Sequence, residues 1–297
     1  MLGSVGRTSE LGLRIKTAEG KGCVCSRSNA KPVKPLKLAV VFGTRPEAIK
    51  LAPLIMAARE RAAEFTPQIV STGQHDELVT SVLNFFSIHP DMELKVMTPG
   101  QTLSGLTSRL MERLDAAFES ARPDLVVVQG DTTTAMCGAL AAFYRRIPVA
   151  HVEAGLRTDR LDAPFPEELN RRVVGQVASW HFAQTDRAKA ALLRDGVHLL
   201  GGRILVTGNT VIDALLEASR RVQHTPPVDP DLNQLETWLA AQRGRRMILV
   251  TGHRRENFGE VFKEFCLSLR KIAEAHPDVL IVYPVHLNPN VKEPAMR

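Results

Sequence analysis

The 297-residue chain contains no apolar run approaching the roughly 20 residues needed to span a bilayer, so no membrane partner is expected. It has only four cysteines: Cys23 and Cys25 near the start, and Cys137 and Cys266 inside helical patterns. None forms a Cys-x-x-Cys pair or a zinc-type spacing. Cys137 and Cys266 therefore read as small buried hydrophobes, and a reducing, cytoplasmic compartment is the simplest expectation. A Gly-x-Gly-x-x-Gly fingerprint and a Walker-type phosphate loop are both missing, which disfavours a dinucleotide redox cofactor and simple ATPase chemistry. His-Glu-x-x-His is absent too, so a zinc hydrolase has no support and no metal site is expected. No internal repeat or low-complexity tract stands out.

What the chain does contain is ordinary for a globular protein: 44% hydrophobic and 24% charged residues. The net charge of +6 raises the question of nucleic acid, but its location answers it. Residues 1–36 carry seven Lys/Arg against Glu10 and Glu19, leaving 31 basic and 30 acidic side chains in the rest. The body is close to neutral, and no nucleic-acid partner is expected. Residues 1–36 read as a disordered basic extension. Its composition fits equally an organelle transit peptide, which would place the protein in a plastid or mitochondrion, and the product of a wrongly placed start codon.

From Lys37 onward apolar strands alternate with amphipathic helices. Strands are expected at 37–42, 67–72, 92–97, 124–129, 148–152, 180–185, 203–207, 246–251 and 278–285. A helix is expected over 102–120, where Leu103, Leu106, Leu110, Leu114 and Phe118 recur at helical spacing. Such alternation gives an α/β fold with parallel sheets and helices on both faces. A proline-rich connection, His224–Pro230, marks a change of unit. The reading is one domain over 37–205 and a second, shorter one over 206–297 with only two clear strands.

The first strand runs into Phe42-Gly43-Thr44-Arg45-Pro46-Glu47-Ala48-Ile49-Lys50. Thr44 can cap the helix that follows, Glu47 completes a capping box, and Pro46 suits a helix start. A helix N-terminus beside Arg45 and Lys50 is a natural phosphate site. Polar residues close other strands: Gln129–Thr134, His151–Thr158 and, in the second domain, Thr251–Asn257. In open α/β sheets ligands bind outside the carboxyl ends of strands, so Asp131 and Glu153 are expected to face one crevice. Carboxyl groups crowded there repel, which raises the pKa of at least one into a range useful for acid–base work. Asp131 alternatively reads as a helix cap. On the next helix, Glu167/Arg171 and Glu168/Arg172 sit four apart and can pair.

Taken together, Gly43–Lys50, Gly130–Thr134, His151–Thr158, Pro166–Arg171, Gly208-Asn209-Thr210, His253–Asn257 and His286–Pro289 resemble the non-hydrolysing UDP-N-acetylglucosamine 2-epimerases. The match runs in order from about Lys37 to the last residue. The resemblance implies a GT-B-type architecture of two Rossmann-like domains, the second incomplete here. It also implies interconversion of UDP-GlcNAc and UDP-ManNAc by a homodimer without a cofactor. By position it makes Asp131, Glu153 and Glu167 acid–base candidates, with His253 beside them. Arg45, Lys50, Arg171 and His253 would bind substrate and the departing UDP. Gln74, Glu168, Arg254 and His286 match positions that hold a second, activating UDP-GlcNAc in many bacterial members. Glu77 and Gly100 depart from that pattern. Family members continue with an Asp-Ser-Gly-Gly…Glu-Glu segment and a helix that returns to the first domain, so the resemblance also implies a fragment. A hydrolysing relative, a glycosyltransferase of the same fold and a non-catalytic nucleotide-sugar binder are the competing readings.

Overall fold

The computed structural model describes residues 34–73, 77–224, 230–252, 259–285 and 288–296. The chain divides into two compact units, one ending at Thr210 and the other running from Val211.

The first unit is built on a seven-stranded sheet. Its strands are β1 (Leu36–Phe42), β2 (Phe65–Ser71), β3 (Met92–Glu93), β4 (Leu125–Gln129), β5 (Val149–Ala154), β6 (Trp180–Ala183) and β7 (Arg203–Val206). The order is β3-β2-β1-β4-β5-β6-β7 and every pairing is parallel. Parallel neighbours need crossovers, supplied here by α1 (Arg45–Glu60), α2 (Glu77–Phe85), α3 (Leu103–Ala121), α4 (Thr133–Tyr144), α5 (Glu167–Val177) and α6 (Asp186–Arg194). The strand order reverses between β1 and β4, which opens a crevice at their carboxyl ends.

β1 shows why this sheet must be covered on both sides. Ala39 and Val41 point to one face and Val40 and Phe42 to the other, and all four are fully buried. The Ala39–Val41 face joins Val126 and Val128 of β4, Leu110, Leu114 and Phe118 of α3, and Ala135, Cys137 and Ala139 of α4 in one core. On α3, Thr102 is the N-cap, accepting from the Gly105 N–H at 3.1 Å. Leu110, Leu114 and Phe118 are buried as the spacing predicts, whereas Leu103 at the helix start is exposed. Burial pushes the Cys137 thiol up to about 12, so it is held as an inert thiol.

The second unit comprises α7 (Thr210–His224) from Val211 on, α8 (Pro230–Ala241), β8 (Arg246–Leu249), α9 (Glu260–Ala275), β9 (Val279–Val282) and α10 (Pro289–Ala295). β8 and β9 pair in parallel. Among its described residues, Ala214, Val250, Phe262, Val279, Leu280 and Val291 are the buried hydrophobic ones.

All nine expected strands occur in order, and the α/β class with parallel sheets is the one observed. The expected strand at 92–97 is only two residues long. Lys95 adopts a left-handed φ of 50°, which breaks the extended run, although Leu94 and Val96 still donate to Ser71 and Thr72 at 2.8 and 3.1 Å. No helix among the described residues is long and apolar enough to cross a membrane.

Candidate active site

Three strand ends of the first unit, β1, β4 and β5, deliver the polar residues. β1 leads through Gly43 into α1, whose first turn carries Arg45 and whose second carries Lys50. Arg45 is exposed, while Lys50 is partly covered. Glu47, 1% exposed, reaches back to the Thr44 N–H at 2.8 Å and the Gly43 N–H at 3.1 Å. The phosphate-binding amides expected at this turn are therefore occupied by the protein's own carboxylate. Burial lifts the Glu47 carboxyl above its ordinary range, and the hydrogen bonds it accepts from Thr132, Thr44 and Gly43 partly offset that rise.

β4 ends at Gln129, a buried residue, and the chain turns through Gly130 to Asp131. Thr132, not Asp131, caps α4 by accepting from the Ala135 N–H at 3.0 Å. The capping alternative for Asp131 is thereby overturned, and its carboxylate is free to face the crevice. His151 of β5 supports this turn from behind: its Nε2 donates to the Gly130 carbonyl at 2.7 Å. Burial pushes the His151 imidazole down to about 3, so the ring is neutral, and its Nδ1 has no hydrogen-bond partner among the described residues.

Glu153 sits at a β-bulge. Val152 pairs with Phe182 and Ala154 with Ala183, so Glu153 is the extra residue between two consecutive rungs of the β5–β6 ladder. Its φ of 67° lies in the left-handed region, unusual for a residue other than glycine. Bulges re-aim side chains, and this one carries the Glu153 carboxylate to two donors, Lys50 Nζ and Gln129 Nε2, both on Oε2.

α5 contributes the last group. The pairing expected from the Glu167/Arg171 spacing is not formed. Arg171 instead donates through Nε to the Glu167 carbonyl at 3.3 Å and sends its guanidinium to Asp131 Oδ2 at 2.6 Å. Asn170, also buried, donates to the Asp131 carbonyl at 2.9 Å. Asp131 is held above the usual carboxylate range, chiefly by burial. Arg171 pulls it back, the Glu153 and Glu167 charges push it up, and Lys50 lowers it. Asp131, Glu153, Glu167, Lys50 and Arg171 thus share one electrostatic environment.

The Glu168/Arg172 pairing does form, at 2.9 Å. Glu168 is fully enclosed, and its other oxygen accepts from the Thr158 N–H at 3.0 Å. Burial pushes its carboxyl up, but the bonds from Thr158 and Arg172 and the Arg171 charge outweigh that and leave it below the ordinary range. Glu168 therefore anchors the segment after β5. Gln74, His253, Arg254 and His286 lie outside the described residues. Among the described residues no group of three or more His, Cys, Asp or Glu is placed to hold a metal ion. A cleft of about 600 Å³ in the second unit, lined by Cys266, Leu267, Ile281 and Tyr283 among others, has none of the sequence-predicted site residues among its described lining residues.

Gln129 lies within a motif evident in the sequence, but its contact with Glu153 does not follow from that motif. A buried polar residue as the last position of an otherwise apolar strand is the available signal.

The sequence model of the UDP-N-acetylglucosamine 2-epimerase family matches residues 57–297. A UDP-N-acetylglucosamine 2-epimerase of Yersinia pestis is 50% identical over 262 residues, covering 88% of this chain and 68% of that protein. Among solved structures, the UDP-GlcNAc 2-epimerase of Neisseria meningitidis bound to UDP-GlcNAc is similar with a TM-score of 0.75 and 42% identity, over 88% of this chain and 69% of that one. The Methanocaldococcus jannaschii enzyme in complex with UDP-GlcNAc and UDP gives 0.67 and 30%, over 88% and 68%. The chain thus spans about two thirds of the length of the relatives it matches. With its strand-end carboxylates and cations brought together as those of one site, the chain belongs to the UDP-N-acetylglucosamine 2-epimerase family.

Proposed function

We propose that this protein inverts C2 of the sugar in UDP-GlcNAc, giving UDP-ManNAc, by elimination and re-addition of UDP. The observation that carries the reading is the convergence of Asp131 and Glu153, from different strand ends, with Lys50 and Arg171 bonded to them. The C2 proton has no neighbouring carbonyl to acidify it, so direct deprotonation is too slow. In the elimination, a carboxylate takes the C2 proton as the C1–O bond to UDP breaks, leaving bound 2-acetamidoglucal. In the return step, a UDP oxygen re-forms the bond to C1 while a carboxyl group delivers a proton to the opposite face of C2. One proton is taken and one given, and exchange with solvent resets the pair.

Such a route needs two carboxyl groups in different states. Asp131, whose carboxyl burial holds above the ordinary range, is suited to deliver a proton. Glu153, ion-paired with Lys50, is suited to accept one. Glu167 is the third candidate, placed where its charge is felt by Asp131. Arg45, Lys50 and Arg171, with His253, are assigned to the anionic substrate and the charge that builds on departing UDP.

The test is proton NMR of UDP-GlcNAc with the protein in deuterium oxide. UDP-ManNAc carrying deuterium at C2 is expected, and Asp131→Asn should slow its formation by roughly 10²-fold or more. Formation of deuterated UDP-ManNAc at the wild-type rate in that variant would remove Asp131 from the mechanism. Free ManNAc plus UDP would mark a hydrolysing enzyme, and a folded protein that leaves the C2 proton untouched would overturn the reading.

A further inference from the structure

Glu47 takes no part in the proton transfers above, yet it is among the most enclosed carboxyl groups of the first unit. Its Oε2 accepts from the Gly43 N–H, the Thr44 N–H and, at 2.7 Å, the Thr44 hydroxyl. Its Oε1 accepts from the Thr132 hydroxyl at 2.6 Å, across 85 positions of sequence. The first three donors lie on the turn from β1 to α1. The fourth lies on the turn from β4 to α4, next to Asp131.

A capping box accounts for the local bonds and has no need of Thr132. Nor does it need burial, which disfavours a charged carboxylate and is tolerated when hydrogen bonds satisfy it. Four donors from two turns do satisfy it. The same Thr132 hydroxyl that donates to Glu47 also accepts from Ala135 and caps α4, so one carboxylate is linked to the starts of two helices.

We propose that Glu47 is a positioning residue: an internal anion that straps the turn carrying Arg45 and Lys50 to the turn carrying Asp131. The proposal rests on the acid–base reading above for the importance of those two turns. It has a consequence for binding. The Gly43 and Thr44 amides are filled from within, so an anionic substrate group meets the side chains of Arg45 and Lys50 and not those amides. Removing the carboxylate would leave an anion-shaped gap ringed by donors.

That gap is the basis of the test. In Glu47→Ala, the Gly43 and Thr44 amides should exchange with deuterium oxide roughly 10- to 100-fold faster than in the wild type, since each loses a charge-assisted bond. Formate should restore their protection, and chloride at equal ionic strength should not. Glu47→Gln is the second variant. Its amide oxygen can serve Gly43 and Thr44 while its NH₂ turns to the Thr132 oxygen, so protection near the wild-type level without formate is expected. Where the wild type turns over, formate should also raise the kcat of Glu47→Ala with little change in KM. A Glu47→Ala variant that folds only with formate supports the strap. Unchanged exchange at Gly43 and Thr44, or a loss that formate does not reverse, folded or not, overturns it. The exchange measurements contain no nucleotide sugar, so they test the strap even if the epimerase reading fails.

Discussion

Gly43→Ala is a one-methyl change whose effect follows from where that methyl would go. A Cβ on Gly43 would stand 2.4 Å from Thr72 Oγ1 and 2.5 Å from Thr134 Oγ1. Those hydroxyls are hydrogen-bonded to each other at 3.0 Å in a buried position. The methyl would wedge between them. Overpacking of this kind costs about 1–3 kcal/mol, and loss of the bond between the threonines about 1 kcal/mol more. A stiffer unfolded chain returns about 0.4–1 kcal/mol. The net expectation is a loss of about 2 kcal/mol, or a melting temperature lower by roughly 4–8 °C. Because the obstructing atoms are side-chain oxygens, they can be removed. Urea unfolding of Gly43→Ala in the wild-type and Thr72→Ala/Thr134→Ala backgrounds forms a cycle, and the glycine substitution should cost at least about 1 kcal/mol less in the second. Equal cost in both backgrounds, or a Gly43→Ala protein as stable as the wild type, would refute the steric argument.

Gly155→Ala should behave differently. Gly155 has a φ of +90°, and its Cβ would meet the Ala188 carbonyl oxygen at 2.3 Å, an α6 backbone atom that no side-chain trimming removes. A loss of roughly 3 kcal/mol or more is expected from backbone strain and overpacking together, with no recovery in a Leu192→Ala background; a variant more stable than Gly43→Ala would contradict this. A third expectation concerns acid. Burial pushes His151 down to about 3 and His181 to about 4, so stability is present above the unfolded value of 6.5 and is lost as pH falls toward those values. At about 1.4 kcal/mol per pH unit for each ring, lowering pH from 7 to 5 should cost about 4 kcal/mol for the pair. A His151→Gln/His181→Gln protein, measured by urea unfolding at both pH values, should show a shallower loss by that order, and an unchanged slope would show that the rings protonate within the fold. Glu47 and Asp131, whose carboxyls burial raises, contribute with the opposite sign, but they are common to both proteins and drop out of the difference.

What was legible in the sequence follows what is local. The apolar run Leu125–Val128 specifies a doubly covered strand because nothing in it tolerates water, and Thr102 marks a helix start because its hydroxyl satisfies an amide three residues on. The site is legible to the extent that strand ends are. Asp131 and Glu153 sit at adjacent carboxyl ends as parallel topology requires. Partner choice was less legible. The spacing of Glu167 and Arg171 makes them neighbours on α5, but spacing says nothing of Asp131, which arrives from another element and takes the guanidinium. The contact of Glu47 with Thr132 is hidden for the same reason. The bulge at Glu153 leaves no trace in hydrophobic alternation, since its neighbours Val152 and Ala154 are both buried in their own right.

That bulge separates two kinds of demand on one strand. Residues in phase with the ladder answer to the core: exchange Val152 or Ala154 and packing is disturbed. Glu153 is out of phase, counted by neither rung, so its side chain is released from the alternation that dictates the rest of β5. The side chain at this position can therefore vary in chemistry while the sheet keeps its register. A single deletion there would do the reverse, mending the ladder while withdrawing the carboxylate from Lys50 and Gln129.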